Sequence, residues 1–410
     1  MRHVIIGAGA AGLTAAKTIR ALRPSDEVVV ISKDETPTSR CLLHKYINNE
    51  RDEAALSFVP DDFFQANRIT WYRGVEITGV NTSDKTVLCN QHKLSYDKLL
   101  IAAGAVSADI PVAALKTAKN IFRLRYLSEA KAIREAALNA RRVVVIGAGL
   151  VGLDVAYALL DLKKEVSVAE MEPNLLPLNL DERAAASYQT LFESAGCTFH
   201  YGHKVTCAYT NSDGNVTQLI LDNGTILPCD FVVLTTGARP AVGFLKDSGI
   251  DAGKTVSIAV DKYMATNCAD VFAAGDVTGL SGIWPNAKQQ GVIAAKNMCG
   301  IREAYTNSFS AKNTVNFYGL VTLSLGTLKP LPGDKVEIRE DYRNYRKIIL
   351  RDGRVVGLIM QGDISNSGFW LHLIKHGIKI DNVKKPIWKI SFADFCALDG
   401  NGEYFYRSRD

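Results

Sequence analysis

VIIGAGAAGLTAA, residues 4–16, and VVIGAGLVGLDVA, residues 144–156, are two copies of one pattern. Each is an apolar run, then G-x-G-x-x-G, then small residues at helical spacing. The glycines are Gly7, Gly9 and Gly12 in one copy and Gly147, Gly149 and Gly152 in the other, offset by 140 throughout. In such a loop the first glycine makes a tight turn and the second lets the backbone approach a pyrophosphate. The third lets helix and strand close together. The anion then meets free N–H groups and the positive end of a helix dipole. One G-x-G-x-x-G is a weak signal, because glycine-rich turns are common. Two copies, each between an apolar run and a helical pattern, predict two dinucleotide sites. Ala10 and Ala11 would meet one ligand, Leu150 and Val151 the other.

The second strands of the two units differ. EVSVAE ends at Glu170, 23 residues after Gly147, where a carboxylate suits a ribose 2′-hydroxyl. No Arg or Lys follows until Arg183, which favours NAD(H) over NADP(H). EVVVIS ends at Ser32, so the acid of the first unit is displaced; Asp34 and Glu35 are both candidates.

The rest of the 410-residue chain sets bounds. It is 47% hydrophobic and 22% charged, ordinary for a globular protein. The eight cysteines are scattered without a C-x-x-C, which fits reduced thiols and a cytoplasmic setting. That spacing provides neither a dithiol pair nor a metal or iron–sulfur ligand set. The net charge of +5 is mild and no long basic run appears, so nucleic acid is not an expected partner. An acidic protein partner remains compatible with it. The N-terminal apolar run is short and glycine-rich, a first strand rather than a signal peptide. No apolar run reaches the roughly 18–20 residues of a membrane span.

Further segments extend the pattern. YDKLLIAAGAVSADIP (96–111), with Ala103 and Gly104, looks like the turn that closes a flavin domain. DFVVLTTGARP (230–240), with Gly237, looks like its counterpart after an NAD domain, and NCADVFAAGDV (267–277) carries Gly275 and Asp276. With the two loops, these resemble the FAD/NAD(P) pyridine-nucleotide oxidoreductases over residues 1–300. SRCLL, FRLRYLSEAKAI, WPNAKQQGVIAAKNM and the tail ISFADFCALDGNGEYFY resemble the NADH:rubredoxin reductase and nitrite reductase flavin-domain group. That group includes enzymes of anaerobes that work beside iron–sulfur proteins.

The resemblance implies an α/β fold with two Rossmann-like domains, glutathione-reductase-like, and a smaller C-terminal α/β domain. Residues 1–108 and 232–308 would bind FAD, residues 109–231 would bind NAD, and 309–410 would serve an interface. KIILRDGRVVGLIM reads as two strands joined at Asp352–Gly353. Arg40 and Arg125 match positions that touch FAD, Ile77 a backbone contact to adenine, and Asp276 a bond to the ribityl chain. Trp284 begins a helix facing the isoalloxazine. The implied cofactors are FAD and NAD(H). The implied partner is a rubredoxin or a ferredoxin-like protein, and a homodimer or a place in a larger redox complex is compatible.

TSRCLLHKYI, 38–47, poses the remaining choice. RCLLHKY aligns with the cysteine segment of NADH oxidases, NADH peroxidases and coenzyme A-disulfide reductases, which makes Cys41 a candidate redox thiol. The same residues align with a ferredoxin-reductase segment in which a lysine near flavin N5 pairs with a carboxylate. Lys45 matches that lysine, and Asp154 matches the carboxylate, one methylene shorter. The peroxidase histidine is replaced by Ala10. His44 is read as a packed or exposed side chain. The expected activity is electron exchange between NADH and an iron–sulfur protein through FAD. The alternative is a single-cysteine enzyme using Cys41.

Overall fold

A computed structural model describes residues 1–90, 92–252, 256–307, 309–398, 400–401 and 403–406. In the tail segment, Asp399 and Gly402 lie outside the described residues. Contacts divide the chain into two compact units, Met1–Met171 with Cys197–Ser310, and Glu172–Gly196 with Ala311–Asp410.

The first unit holds two five-stranded parallel sheets. One runs Val271–Ala273, Lys98–Ile101, Arg2–Ile6, Glu27–Ile31, Ile69–Tyr72. The other runs Cys197–Tyr201, Glu165–Glu170, Arg142–Ile146, Phe231–Leu234, Ile121–Arg123. Each glycine motif leaves the middle strand of its sheet and enters a helix, Ala10–Leu22 or Leu150–Asp161. A parallel strand covered on both faces must be apolar on both. RHVII obeys this: Val4 and Ile6 join the core with Val29 and Leu99, while Ile5 joins the opposite core with Leu13, Val30 and Leu100. Full burial of each such side chain contributes about 1.5–3 kcal/mol. The chain leaves the first sheet after Lys98–Ile101, builds the second, and returns as Val271–Ala273 beside it. Strands Ala105–Ser107 and Ala238–Pro240 pair antiparallel along this outward and return path.

The second unit is a five-stranded antiparallel sheet, in the order Lys312–Phe317, Leu320–Gly326, Arg354–Gln361, Tyr345–Arg351, Lys335–Glu340, covered by helix Ser367–His376. The Asp352–Gly353 hairpin forms as read, with both residues at positive φ (48° and 71°) and Arg351 opposite Arg354. Helix Glu182–Ser194 falls in the segment expected within the inserted nucleotide domain, yet it groups with this sheet. Tyr188 fixes it there: its hydroxyl donates to the Leu320 carbonyl (2.8 Å) and lies 2.9 Å from Thr322 Oγ1. Gln361 Nε2 donates to the Ala184 carbonyl at 3.0 Å. These partners are separated by more than a hundred residues, so no local pattern announces them.

Candidate functional site

The two glycine loops have nearly the same geometry. A Cβ on Gly7 (φ +108°) would stand 2.2 Å from the Ala102 carbonyl oxygen, and one on Gly12 would stand 1.9 Å from that of Gly7. A Cβ on Gly147 (φ +105°) would stand 2.7 Å from the Thr235 oxygen, and one on Gly152 1.9 Å from that of Gly147. A Cβ on Gly9 or Gly149 would meet nothing within 4 Å. The outer glycines are therefore fixed by packing, and the middle ones face open space. Neither helix N-terminus has a side-chain cap, so its first N–H groups are available to an anion. Each loop fits a pyrophosphate.

Around the first loop lies a cavity of about 710 Å³. Its wall includes Gly7, Gly9, Ala10, Ala11, Asp34, Arg40, Cys41, Ile77, Ala103, Gly104, Arg125, Gly275, Asp276 and Trp284. Gly12 and Lys45 are outside the wall. Of the two candidate acids, Asp34 lies in the wall, whereas Glu35 is exposed with its side chain against Gly74. Two arginines interlock here. Arg40 bonds Asp34 at 3.0 Å and donates to the Arg125 carbonyl at 2.5 Å, with its guanidinium 4.7 Å from the Tyr126 ring centroid. Arg125 bonds Asp276 at 2.6 Å and the Ala105 carbonyl at 3.0 Å. Two rigid cations are thus oriented beside the glycine loop, as recognition of a dinucleotide requires. Trp284 meets Phe58 edge-on at 4.8 Å at the start of helix Trp284–Met298. That helix crosses the first glycine helix closely, since a Cβ on Gly291 would be 2.3 Å from the Ala11 oxygen. The wall also contains Thr38, Tyr126, Val242 and Phe244, which sequence reading had missed. Thr38 and Tyr126 lie inside quoted segments and were within reach; the turn at 242–244 has no motif.

At the second loop, Glu170 accepts a hydrogen bond from the Ala148 N–H at 2.6 Å. Leu150 and Val151 are 38% and 43% exposed at the helix start, unusual for apolar residues and suited to a ligand face. Gly237 has φ +105° and open space where a Cβ would be. Thr235, also missed by sequence reading, binds the Ile146 and Gly147 carbonyls at 2.8 and 3.0 Å and holds the strand end.

Between the two loops the structure corrects one expectation. Lys45 and Asp154 do not form an ion pair. Lys45 Nζ meets Glu50 at 2.5 Å, a carboxylate five residues along its own segment. Asp154 Oδ2 instead faces His44 Nδ1 at 3.5 Å. Burial pushes the Asp154 carboxyl up to about 7, with Lys45 opposing. Burial, then the charge of Lys45, pushes His44 down to about 4. The pair therefore holds one proton between these values, and two bare charges at this depth are avoided. Cys41 keeps an exposed surface, yet desolvation among its neighbours, and then Asp154, raise its thiol above the ordinary value, the reverse of what an activated thiolate needs. Among the described residues no group of three His, Cys, Asp or Glu side chains could hold a metal ion. No helix among them is long and apolar enough to cross a membrane.

Comparison with known proteins agrees with this geometry. Residues 1–291 match the family described as pyridine nucleotide-disulphide oxidoreductase, and residues 312–378 match the rubredoxin NAD+ reductase C-terminal domain. Apoptosis-inducing factor 3 of Mus musculus is 33% identical over 318 residues, covering 74% of this chain and 52% of that protein. The chain thus spans about half the length of that curated relative. Rubredoxin-NAD(+) reductase of Pseudomonas putida is 26% identical, covering 80% of this chain and 87% of its own. A solved NAD-dependent persulfide reductase from A. fulgidus has a TM-score of 0.84 at 26% identity, covering 93% of this chain and 78% of that one. The chain belongs to the pyridine nucleotide-disulphide oxidoreductases, a family of enzymes that use FAD and NAD(H).

Proposed function

We propose that this protein is an FAD-dependent NADH oxidoreductase that passes electrons to an iron–sulfur protein of rubredoxin or ferredoxin type. The observation that carries the reading is the pair of open cradles at Gly9 and Gly149. In this reading the first cavity holds FAD. Gly9 and the helix start at Ala10 receive the pyrophosphate, Asp34 the ribose, Asp276 the ribityl chain, and Arg40 and Arg125 the phosphate charge. The second loop holds NADH, with Glu170 on the ribose. Bound FAD supplies the conversion between two-electron and one-electron chemistry. The Lys45–Glu50 ion pair and the His44–Asp154 contact lie where residues 43–47 pack on the second glycine helix. The C-terminal match and the Pseudomonas putida relative support the choice of acceptor. The first test is anaerobic reduction of the flavin by NADH, followed by addition of oxidised rubredoxin or ferredoxin. Electron transfer to either carrier supports the reading, and transfer to neither rejects the acceptor.

The alternative is a single-cysteine oxidase, peroxidase or disulfide reductase. It draws on the place of Cys41 in the cavity wall. Its raised thiol and the presence of Ala10 weigh against it. NADH-driven turnover of peroxide or coenzyme A disulfide, lost in Cys41→Ala, would favour it.

A further inference from the structure

The excess positive charge of the chain is concentrated. Between Asn366 and Phe392 the sequence has five lysines, Lys375, Lys379, Lys384, Lys385 and Lys389, against one acid, Asp381; the whole chain carries only +5. All five are exposed. Lys385 is ion-paired with Asp394. The other four have no carboxylate partner among the described residues. Asp381 is turned away toward the hairpin, where a Cβ on Gly353 would be 1.9 Å from its Oδ2.

Aromatic contacts hold the lysine-bearing segment against the helix. Helix Ser367–His376 buries Phe369, Trp370 and Leu373. Trp388 meets Trp370 at 6.0 Å, and Phe392 meets Phe369 at 5.1 Å, so the segment after the helix is held against it. Arg354 donates to the Gly377 carbonyl at 2.8 Å and bridges Lys379, which fixes the turn between them. Phe392 remains 44% exposed, an apolar group at the end of the same segment.

We propose that Lys375, Lys379, Lys384 and Lys389, in the segment that also exposes Phe392, form a docking face for an acidic iron–sulfur electron carrier. The inference rests on the acceptor class proposed above and assigns that acceptor a surface. Three of the four lysines lie beyond residues 312–378, where the C-terminal family match ends. Clustered cations raise the encounter rate with an acidic protein, and an aromatic group among them gives a contact that excludes water. An anionic membrane is the weaker fit. An interfacial helix presents a broad apolar face, whereas here that face is buried against the sheet.

The test uses the flavin-loaded full chain and two variants. One carries Lys375→Glu, Lys379→Glu, Lys384→Glu and Lys389→Glu; the other carries glutamine at the same sites. NADH-driven reduction of menadione, a neutral small acceptor, reports an intact flavin path. Reduction of an acidic rubredoxin and of an acidic ferredoxin, at rising salt, reports docking. In wild type the carrier rate should fall with salt. The glutamate variant should lose about tenfold or more at low salt and become nearly insensitive to salt, with menadione turnover unchanged. The glutamine variant should fall between them, and decides the matter if the charge reversal disturbs folding. Wild-type rates and salt dependence in a variant with normal menadione turnover would overturn the docking face alone. Failure of wild type to reduce either carrier would overturn the acceptor class and the docking face with it. Lysine-dependent binding to phosphatidylserine vesicles, with carrier reduction unchanged in the variants, would assign the face to lipid and overturn the proposal.

Discussion

Around Gly9 and around Gly149 the backbone does the same thing, and the surrounding chain does not. At the second loop the acid is the last residue of the adjacent strand, and Glu170 reaches the Ala148 N–H directly. At the first loop the strand ends at Ile31, and Asp34 is held in the wall by Arg40, a residue outside any regular strand. The first site draws its walls from segments spread between residues 6 and 287. The second is readable largely from one strand–loop–helix–strand unit. A short-range cradle can be recognised from its own residues, while a site assembled from distant segments needs their placement.

The comparison can be broken most forcefully at the third glycine. Gly12→Ala and Gly152→Ala each force a Cβ to 1.9 Å from a carbonyl oxygen. Each should cost about 3 kcal/mol, the upper range for overpacking. Purified Gly12→Ala should lack the yellow flavin absorbance. Gly152→Ala should remain yellow, yet NADH should no longer bleach it. Loss of flavin from both would mean the two sites are not separable. The middle glycines sharpen the point. Gly9→Ala and Gly149→Ala meet no protein atom, so thermal unfolding of the protein without cofactors should be unchanged or slightly raised. Affinity for the corresponding nucleotide should still fall by tenfold or more, about 1.4 kcal/mol. Normal binding in these variants would show that the open space is not where the ligand sits.

Glu170→Ala should affect only the second site. Loss of a hydrogen bond to a charged group is worth about 1.5–3 kcal/mol, so NADH should bind roughly ten- to a hundredfold more weakly, with flavin content normal. The junction shows least in wild type, where its two pH slopes oppose each other, and is read in single variants. Folded Asp154 keeps its proton to about pH 7, whereas its unfolded value is near 3.8, so its contribution to stability declines as pH rises through that window. His44 acts oppositely: unfolded it binds a proton below about 6.5, folded only near 4, so stability declines as pH falls through that range. The two slopes offset in wild type. The thermal midpoint of Asp154→Asn should rise with pH from 4 to 6.5, and that of His44→Gln should fall from pH 4 to 7. Flat profiles in both variants would remove the pair from the account. The charges acting on the pair are Lys45, on both members, and Glu50, on His44.

Much of this was legible beforehand. The glycine offsets, the doubly apolar strands and the Asp352–Gly353 turn are local, and each formed as read. That Asp34 rather than Glu35 lines the cavity was not legible, because it depends on the position of Arg40. The Lys45–Asp154 ion pair did not form: Lys45 meets Glu50 in its own segment, and Asp154 faces His44, which is far from it in sequence. The attachment of helix Glu182–Ser194 to the C-terminal sheet was hidden because it depends on Tyr188 and Gln361 finding distant partners.

The central claim is that electrons move between the two nucleotide sites without a redox thiol. It is tested most directly by anaerobic titration of the flavin with NADH, in wild type and in Cys41→Ala. The account predicts that both proteins bleach at the same rate and to the same endpoint, with no long-wavelength thiolate–flavin band. A band present in wild type and absent in the variant, with uptake of additional NADH by the wild type alone, would contradict it.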